Sequence, residues 1–198
     1  MGVPRQTIKL VNVEGRHRAI GNKDASLDVT DALSTVADKH QTVLANLSGY
    51  ILKKDSPSCG MERVRLYQSA DKGAMVERKA SGLFAARLMA LFPTMPVEEE
   101  GRLGDARLRE NFINRVFIYQ RWRKLIDDGV TWTSLTHFHA RHKLILFSHN
   151  QQLARKIGSD LAKAHERDCN EYAKVYINQL MQLLKITATR ENHVNVLE

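Results

Sequence analysis

Residues 49–67 read GYILKKDSPSCGMERVRLY, and this stretch decides how the first half of the chain is read. An apolar run, Tyr50, Ile51 and Leu52, enters a compact Ser-Pro-Ser-Cys-Gly loop, and the chain leaves through Val64, Leu66 and Tyr67. The pattern predicts strand, tight turn, strand, with a thiol at the turn. Pro57 fixes its own φ and biases Ser56 toward an extended conformation, while Gly60 permits a sharp turn just after Cys59. One thiol and two hydroxyls, those of Ser56 and Ser58, then stand on a stiff loop beside Lys53 and Lys54. Neighbouring lysines and free backbone N–H groups favour a thiolate. A partly buried cysteine in a structural turn has the same local sequence, and spacing does not choose between the two.

Outward from the loop, residues 6–13 alternate as a short strand, followed by a polar turn through Gly15 and Gly21. Residues 31–47 carry apolar side chains near a 3.6 period, with Thr30 as the expected N-cap. Strand, helix and the strand at 50–53 make a βαβ-like unit with Cys59 just past its second strand, where open α/β sheets place ligand sites. Downstream, a strand at 63–67 ends in a loop over 69–82, and a short helix spans Leu83 to Leu91. The segment FPTMPVEEEGRLGD, with its two prolines, two glycines and acid run Glu98–Glu100, reads as a domain junction. Such an acid run reads as a solvated surface, with a carboxylate facing a site as the alternative.

From residue 105 the pattern is helical and continuous. Leu108, Phe112, Val116, Tyr119 and Ile126 mark one stripe, and Asp127 to Gly129 end it. Thr133 or Ser134 caps a helix to about Asn150, and helices over 151–165 and 168–188 follow. No terminal helix is expected in the closing NHVNVLE. His137, His139 and His142 fall within six residues, but on a helix His137 points away from His139, so they do not converge as zinc ligands require. Metal binding stays as the smallest reading, beside helix packing with solvated histidines and a phosphate-binding face built by Arg141, His142 and Lys143. Cations spaced along a surface suit an RNA backbone, and Arg121, Arg123, Arg155 and Lys156 extend that face. Trp122 is either core or a stacking platform for a base.

The composition sets outer limits. With 43% hydrophobic and 26% charged residues the chain is ordinary for a globular protein. No apolar run is long enough for a transmembrane helix, and the N-terminus lacks a signal-peptide layout. Two cysteines far apart fit a reducing cytoplasm rather than a disulfide framework. A net charge of +8 and a pI near 9.6 favour polyanionic partners, and residues 112–198 are the more cationic part.

The run GYILKKDSPSCGMERVRLY closely resembles the SPSCG segment of bacterial thiouracil/4-thiouridine desulfidases, and PVEEEGRL extends the likeness. The remainder resembles the YbgA-type helical domain fused behind that module. The resemblance implies a [4Fe–4S] cluster held by three cysteines, its fourth iron taking the sulfur of a thiolated uracil. Cys59 maps onto one metal ligand, and Ser56 and Ser58 onto the catalytic wall. The helical part is implied to present tRNA, through Arg121, Arg123, Arg141, His142, Lys143, Arg155 and Lys156. The opening MGVPRQTIKLV resembles the middle of the family's first domain, so the two upstream cysteine segments are expected to be missing. The helical domain is also expected to be C-terminally incomplete.

The expected organisation is therefore an incomplete, βαβ-like α/β part over 1–96, a linker over 97–111 and an all-α YbgA-like domain over 112–198. No stable cluster is expected on this chain alone, because one thiolate does not hold a cubane. The expected partners are tRNA or another RNA, and a polypeptide supplying the missing ligands. The alternatives are a non-catalytic RNA-binding module and a relative without independent activity.

Overall fold

The computed structural model describes residues 6–68 and 75–197, and these divide into two compact units. The first comprises residues up to 93 together with 97–103, and the second residues 94–96 with 104 onward.

In the first unit, β1 (Ile8–Val13) and β2 (Arg16–Gly21) form an antiparallel hairpin. Its two-residue turn, Glu14 and Gly15, has φ of 51° and 80°, the left-handed pair that matches strand twist. The polar turn expected after residue 13 is thus only this tip: β2 exposes Arg16, His17 and Arg18 but buries Ala19, Ile20 and Gly21. β3 (Tyr50–Leu52) and β4 (Val64–Tyr67) flank the Ser-Pro-Ser-Cys-Gly loop. They belong to different sheets. β4 runs parallel to β1 and antiparallel to β5 (Met75–Ala80), giving the order β2-β1-β4-β5. β5 lies within the segment expected as a loop, of which residues 69–74 fall outside the described residues. Leu10, Ala19, Val29, Val64, Leu66 and Ala80 form the core of this sheet. The mixed α/β reading holds, but the parallel partner of β1 is β4 rather than the strand at 50–53.

The helix expected over 31–47 is three one-turn pieces, α1 (Thr30–Ser34), α2 (Val36–Lys39) and α3 (Gln41–Leu44). The hydroxyls explain the break. Thr30 Oγ1 accepts from the Ala19 N–H and so does not cap α1, while Ser34 and Thr35 hydroxyls bond back to carbonyls of the preceding turn. Only Ala37 and Leu44 are buried along these pieces, and Val43 stands exposed. α4 (Leu83–Leu91) buries Phe84, Ala85 and Leu88. β6 (Val97–Glu99) then pairs in parallel with β3. The acid run is therefore not a solvated linker: Glu98 and Glu99 are 3% and 4% exposed, and Glu100 alone points outward.

The second unit is all-helical, as expected. α5 (Ala106–Asp127) is capped by Asp105, and Gly129 at φ 89° follows its end. α6 (Trp132–His149) starts two or three residues earlier than expected, on a capping box between Thr131 and Ser134. α7 (Gln151–Ala162) is capped by Asn150, and α8 (Cys169–Leu184) by Asp168. α9 (Arg190–Leu197) fills the segment expected to lack a helix. The core gathers Ile118, Leu135, Leu146, Ile157, Leu161 and Leu180 around an aromatic cluster of Trp122, Phe138 and Tyr176.

The buried face of α5 is rotated from the predicted stripe: it carries Asn111, Phe112, Arg115, Ile118 and Trp122, while Ile126 is exposed. Asn111 explains the rotation, since its side-chain amide donates to the Leu184 carbonyl at the end of α8 (2.8 Å). A polar side chain with a buried partner counts as core here, and apolar periodicity does not register it.

Candidate functional site

The Ser-Pro-Ser-Cys-Gly loop closes on itself before it touches anything else. Ser56 Oγ accepts from the backbone N–H of Ser58 (3.3 Å) and Cys59 (3.1 Å), and the Ser56 carbonyl accepts from the Gly60 N–H (2.8 Å). Asp55 and Arg63, at φ of 58° and 63°, bend the chain on either side. The loop then lies over the start of α4: the carbonyls of Gly60, Pro57 and Ser58 accept from the N–H groups of Gly82, Leu83 and Ala85. Those donors sit at the helix start, where no intrahelical carbonyl is in reach. Two glycines allow the approach. A Cβ on Gly82 would lie 2.4 Å from the Ser58 carbonyl, and one on Gly60 2.2 Å from Val64 Cγ2.

A third brace comes from β6. Glu99 Oε1 accepts from the Met61 N–H (2.8 Å), and the Met61 carbonyl accepts from the Ser81 hydroxyl (2.8 Å). Glu98 is held by Arg102 (Nε to Oε1, 2.7 Å), which also reaches Glu62 (2.6 Å). Nothing in the charge pattern of Glu98–Glu100 announces this. The signal is the β3–β6 pairing, which a sequence without hairpin spacing does not reveal.

Cys59 is half-buried, with its Sγ 3.3 Å from Ser58 Oγ. Tyr50 packs on Phe84 (5.8 Å between centroids). Burial pushes the Tyr50 phenol up, with Cys59 adding to the effect. Of the two lysines expected beside the thiol, Lys53 has its ammonium engaged elsewhere, while Lys54 is tied through its backbone. Lys53 Nζ pairs with Glu100 Oε1 (2.7 Å), and the Lys54 N–H donates to Glu100 Oε2 (2.7 Å). The Lys53 ammonium and these N–H donors hold the Glu100 carboxyl below its ordinary range. Ser56, Ser58 and Cys59 are thus brought together, with Ser56 spent on the backbone and Ser58 against the sulfur.

The donor set does not fit a whole iron–sulfur cluster. Cys59 is the one thiol of this unit, Cys169 belongs to the other, and no group of three or more His, Cys, Asp or Glu among the described residues is placed to hold a metal. A cubane needs three or four protein ligands.

In the helical unit the seven predicted RNA-facing residues separate. Arg121, Arg141 and His142 line one cleft between α5 and α6. Lys143 and Arg155 instead flank the Phe147 ring at 5.5 and 6.0 Å, and Lys156 pairs with Asp160 (3.2 Å). Arg123 is half-buried on α5. His142 is 3% exposed, so it does not offer its ring to a ligand on an open face. Its Nδ1 donates to the Phe138 carbonyl (2.7 Å), which leaves Nε2 to accept from Arg121 Nη1 (3.5 Å). His139 lies 3.1 Å from the Tyr176 hydroxyl, and His149 donates to the Ile186 carbonyl. Burial pushes all three imidazoles down from their ordinary pKa. His139, His142 and His149 pack and are desolvated rather than solvated, while His137 is exposed on α6. Trp122 is 6% exposed and belongs to the core.

An α/β unit that presents one thiol on a loop braced by a helix start, followed along the chain by an all-helical unit, defines the class of protein. Residues 1–100 match the family described as 2-thiouracil desulfurase, and the chain belongs to that family. Residues 143–198 match a second family, described as a protein of unknown function (DUF1722). The chain is 29% identical over 92 residues to "Uncharacterized protein YbgA" of Escherichia coli (strain K12). That match covers 46% of this chain and 54% of the relative, so the chain spans about half the length of the curated relative it matches. No solved structure matches the chain.

Proposed function

We propose that this chain supplies the Cys59 corner of a site that removes sulfur from a thiolated uracil. The observation that carries the reading is the preformed loop: the Cys59 N–H is held by Ser56 Oγ, its neighbours Pro57, Ser58 and Gly60 by the start of α4, and Met61, two residues on, by Glu99. Ser56 acts as a positioning residue, since its oxygen accepts two backbone N–H groups. Ser58, with its hydroxyl against Cys59 Sγ, is the group on this loop able to pass a proton at the sulfur. A [4Fe–4S] cluster would supply the sulfur-accepting iron, and Cys59 is one thiolate of the several that it needs. Its remaining ligands are not among residues 1–198, and a polypeptide carrying them would complete the site.

The test is anaerobic sulfide release from 4-thiouracil. The chain alone is expected to release none. Release is expected when a polypeptide carrying the family's two upstream cysteine segments is supplied, and it should vanish in Cys59→Ala. Release unaffected by Cys59→Ala would contradict the reading.

The second reading concerns the helical unit, which we take to face RNA, with tRNA as its partner. The net charge of +8 and the exposed cations Arg141, Lys143 and Arg155 favour it. It predicts tRNA binding that weakens steeply with salt, and salt-independent binding would contradict it. Among the described residues no helix is long and apolar enough to cross a membrane. A cytoplasmic location fits the two unpaired thiols.

A further inference from the structure

We infer that the cleft between the C-terminal part of α5 and the first turns of α6 binds the phosphate group of a nucleotide. The inference rests on the reading of the helical unit as RNA-facing, and narrows it from a surface to one site. The cleft encloses about 350 Å³, within the size range of small-ligand sites. Arg121, Lys124 and Arg141 all line it, against the single carboxylate of Asp128. Among the described residues neither Lys124 nor Arg141 has a carboxylate partner, unlike Lys156 or Lys174 on the same unit. Unpaired cations gathered in a concave site, rather than spread on a convex one, are what a compact anion needs.

The third cation is built in. The Phe138 carbonyl takes the Nδ1 proton of His142, so Nε2 is an acceptor and Arg121 Nη1 lies against it. A neutral, buried histidine thereby holds a guanidinium in the cleft without cancelling its charge. His142 is a positioning residue for Arg121. The rest of the wall mixes the polar Ser134 and His137 with the apolar Leu125 and Phe138, and that apolar part suits a nucleoside attached to the phosphate better than inorganic phosphate alone.

The phosphate can belong to a free nucleotide or to RNA, and the experiment separates the two. Binding of uridine, uridine 5′-monophosphate and a short oligouridylate to the full chain is measured by calorimetry, for wild type, for Lys124→Glu with Arg141→Glu, and for Lys163→Glu with Lys185→Glu. Both variants reverse the same number of exposed charges. The monophosphate, the oligonucleotide or both are expected to bind where uridine does not. The cleft variant should weaken that binding about tenfold or more, the scale of losing a charge-assisted hydrogen bond. The Lys163/Lys185 variant should change it less than about threefold. Binding by the monophosphate alone assigns a free nucleotide, and binding by the oligonucleotide alone assigns RNA. Equal weakening by the two variants overturns the cleft and leaves a diffuse RNA face standing. No binding of either phosphate ligand overturns both. Circular dichroism of each variant separates a lost site from a lost fold.

Discussion

The Cys59 loop and the α5–α6 cleft are built by different means. The loop is made of backbone bonds within a few residues of the thiol, seated on the start of α4, and a single Cβ at Gly82 would collide with it. The cleft is made of side chains from two helices, and its shape depends on the aromatic packing of Trp122, Phe138 and Tyr176 beneath it. Local construction leaves a mark in the sequence, because turn residues must sit at fixed offsets. Construction by packing leaves almost none.

Three substitutions or conditions would sharpen that contrast. The largest effect is expected in the helical unit: Trp122→Ala should cost about 3–5 kcal/mol, the range for removing a buried aromatic side chain. Thermal unfolding followed by circular dichroism measures it. A loss below about 1 kcal/mol would mean that Trp122 is not core and is free to stack on a base.

In the α/β unit Gly82→Ala is expected to cost about 1–3 kcal/mol, because the new methyl meets the backbone of Ser58 and Cys59 rather than a side chain able to swing away. Amide hydrogen exchange should then quicken at Gly60, Leu83 and Ala85, whose bonds cross the contact. Unchanged protection there would break the account of the loop.

The smallest effect is a pH dependence confined to the packed histidines. Burial holds the folded-state pKa values of His139, His142 and His149 below the ordinary imidazole range. The unfolded chain therefore binds protons first as pH falls, so their contribution is complete above the ordinary imidazole pKa of about 6.5 and is lost progressively as pH falls from there through the depressed folded-state values. Urea midpoints between pH 8 and pH 5 are expected to fall, and to fall less in His142→Gln. An identical slope in the variant would show that His142 is solvated.

The sequence was most informative where chemistry constrains the backbone. Ser56, Pro57, Ser58, Cys59 and Gly60 announce a rigid thiol-bearing loop, and the helical periodicity beyond residue 105 announces an all-α unit. It was least informative where pairing is long-range. β5 carries the exposed Glu77, Arg78 and Lys79, and in β6 Glu98 and Glu99 are buried by ion pairing and a backbone bond that no local pattern encodes. The helix over 31–47 failed for a different reason. Its apolar spacing is right, but Thr30, Ser34 and Thr35 carry hydroxyls that bond to the backbone and break it into single turns. His142 shows the same limit in the cleft: its position on a basic helical face was legible, while its burial against Phe138 and Arg121 rests on contacts that helical periodicity does not register.

The central claim is that Cys59 is a preformed but single thiolate ligand. Iron content and visible absorbance after anaerobic reconstitution, for the chain and for its Cys59→Ala form, test it most directly. The account predicts iron well short of a full cluster per chain and no charge-transfer band, with the residual iron lower in Cys59→Ala. A full cluster's iron on the chain alone, lost in Cys59→Ala, would contradict it.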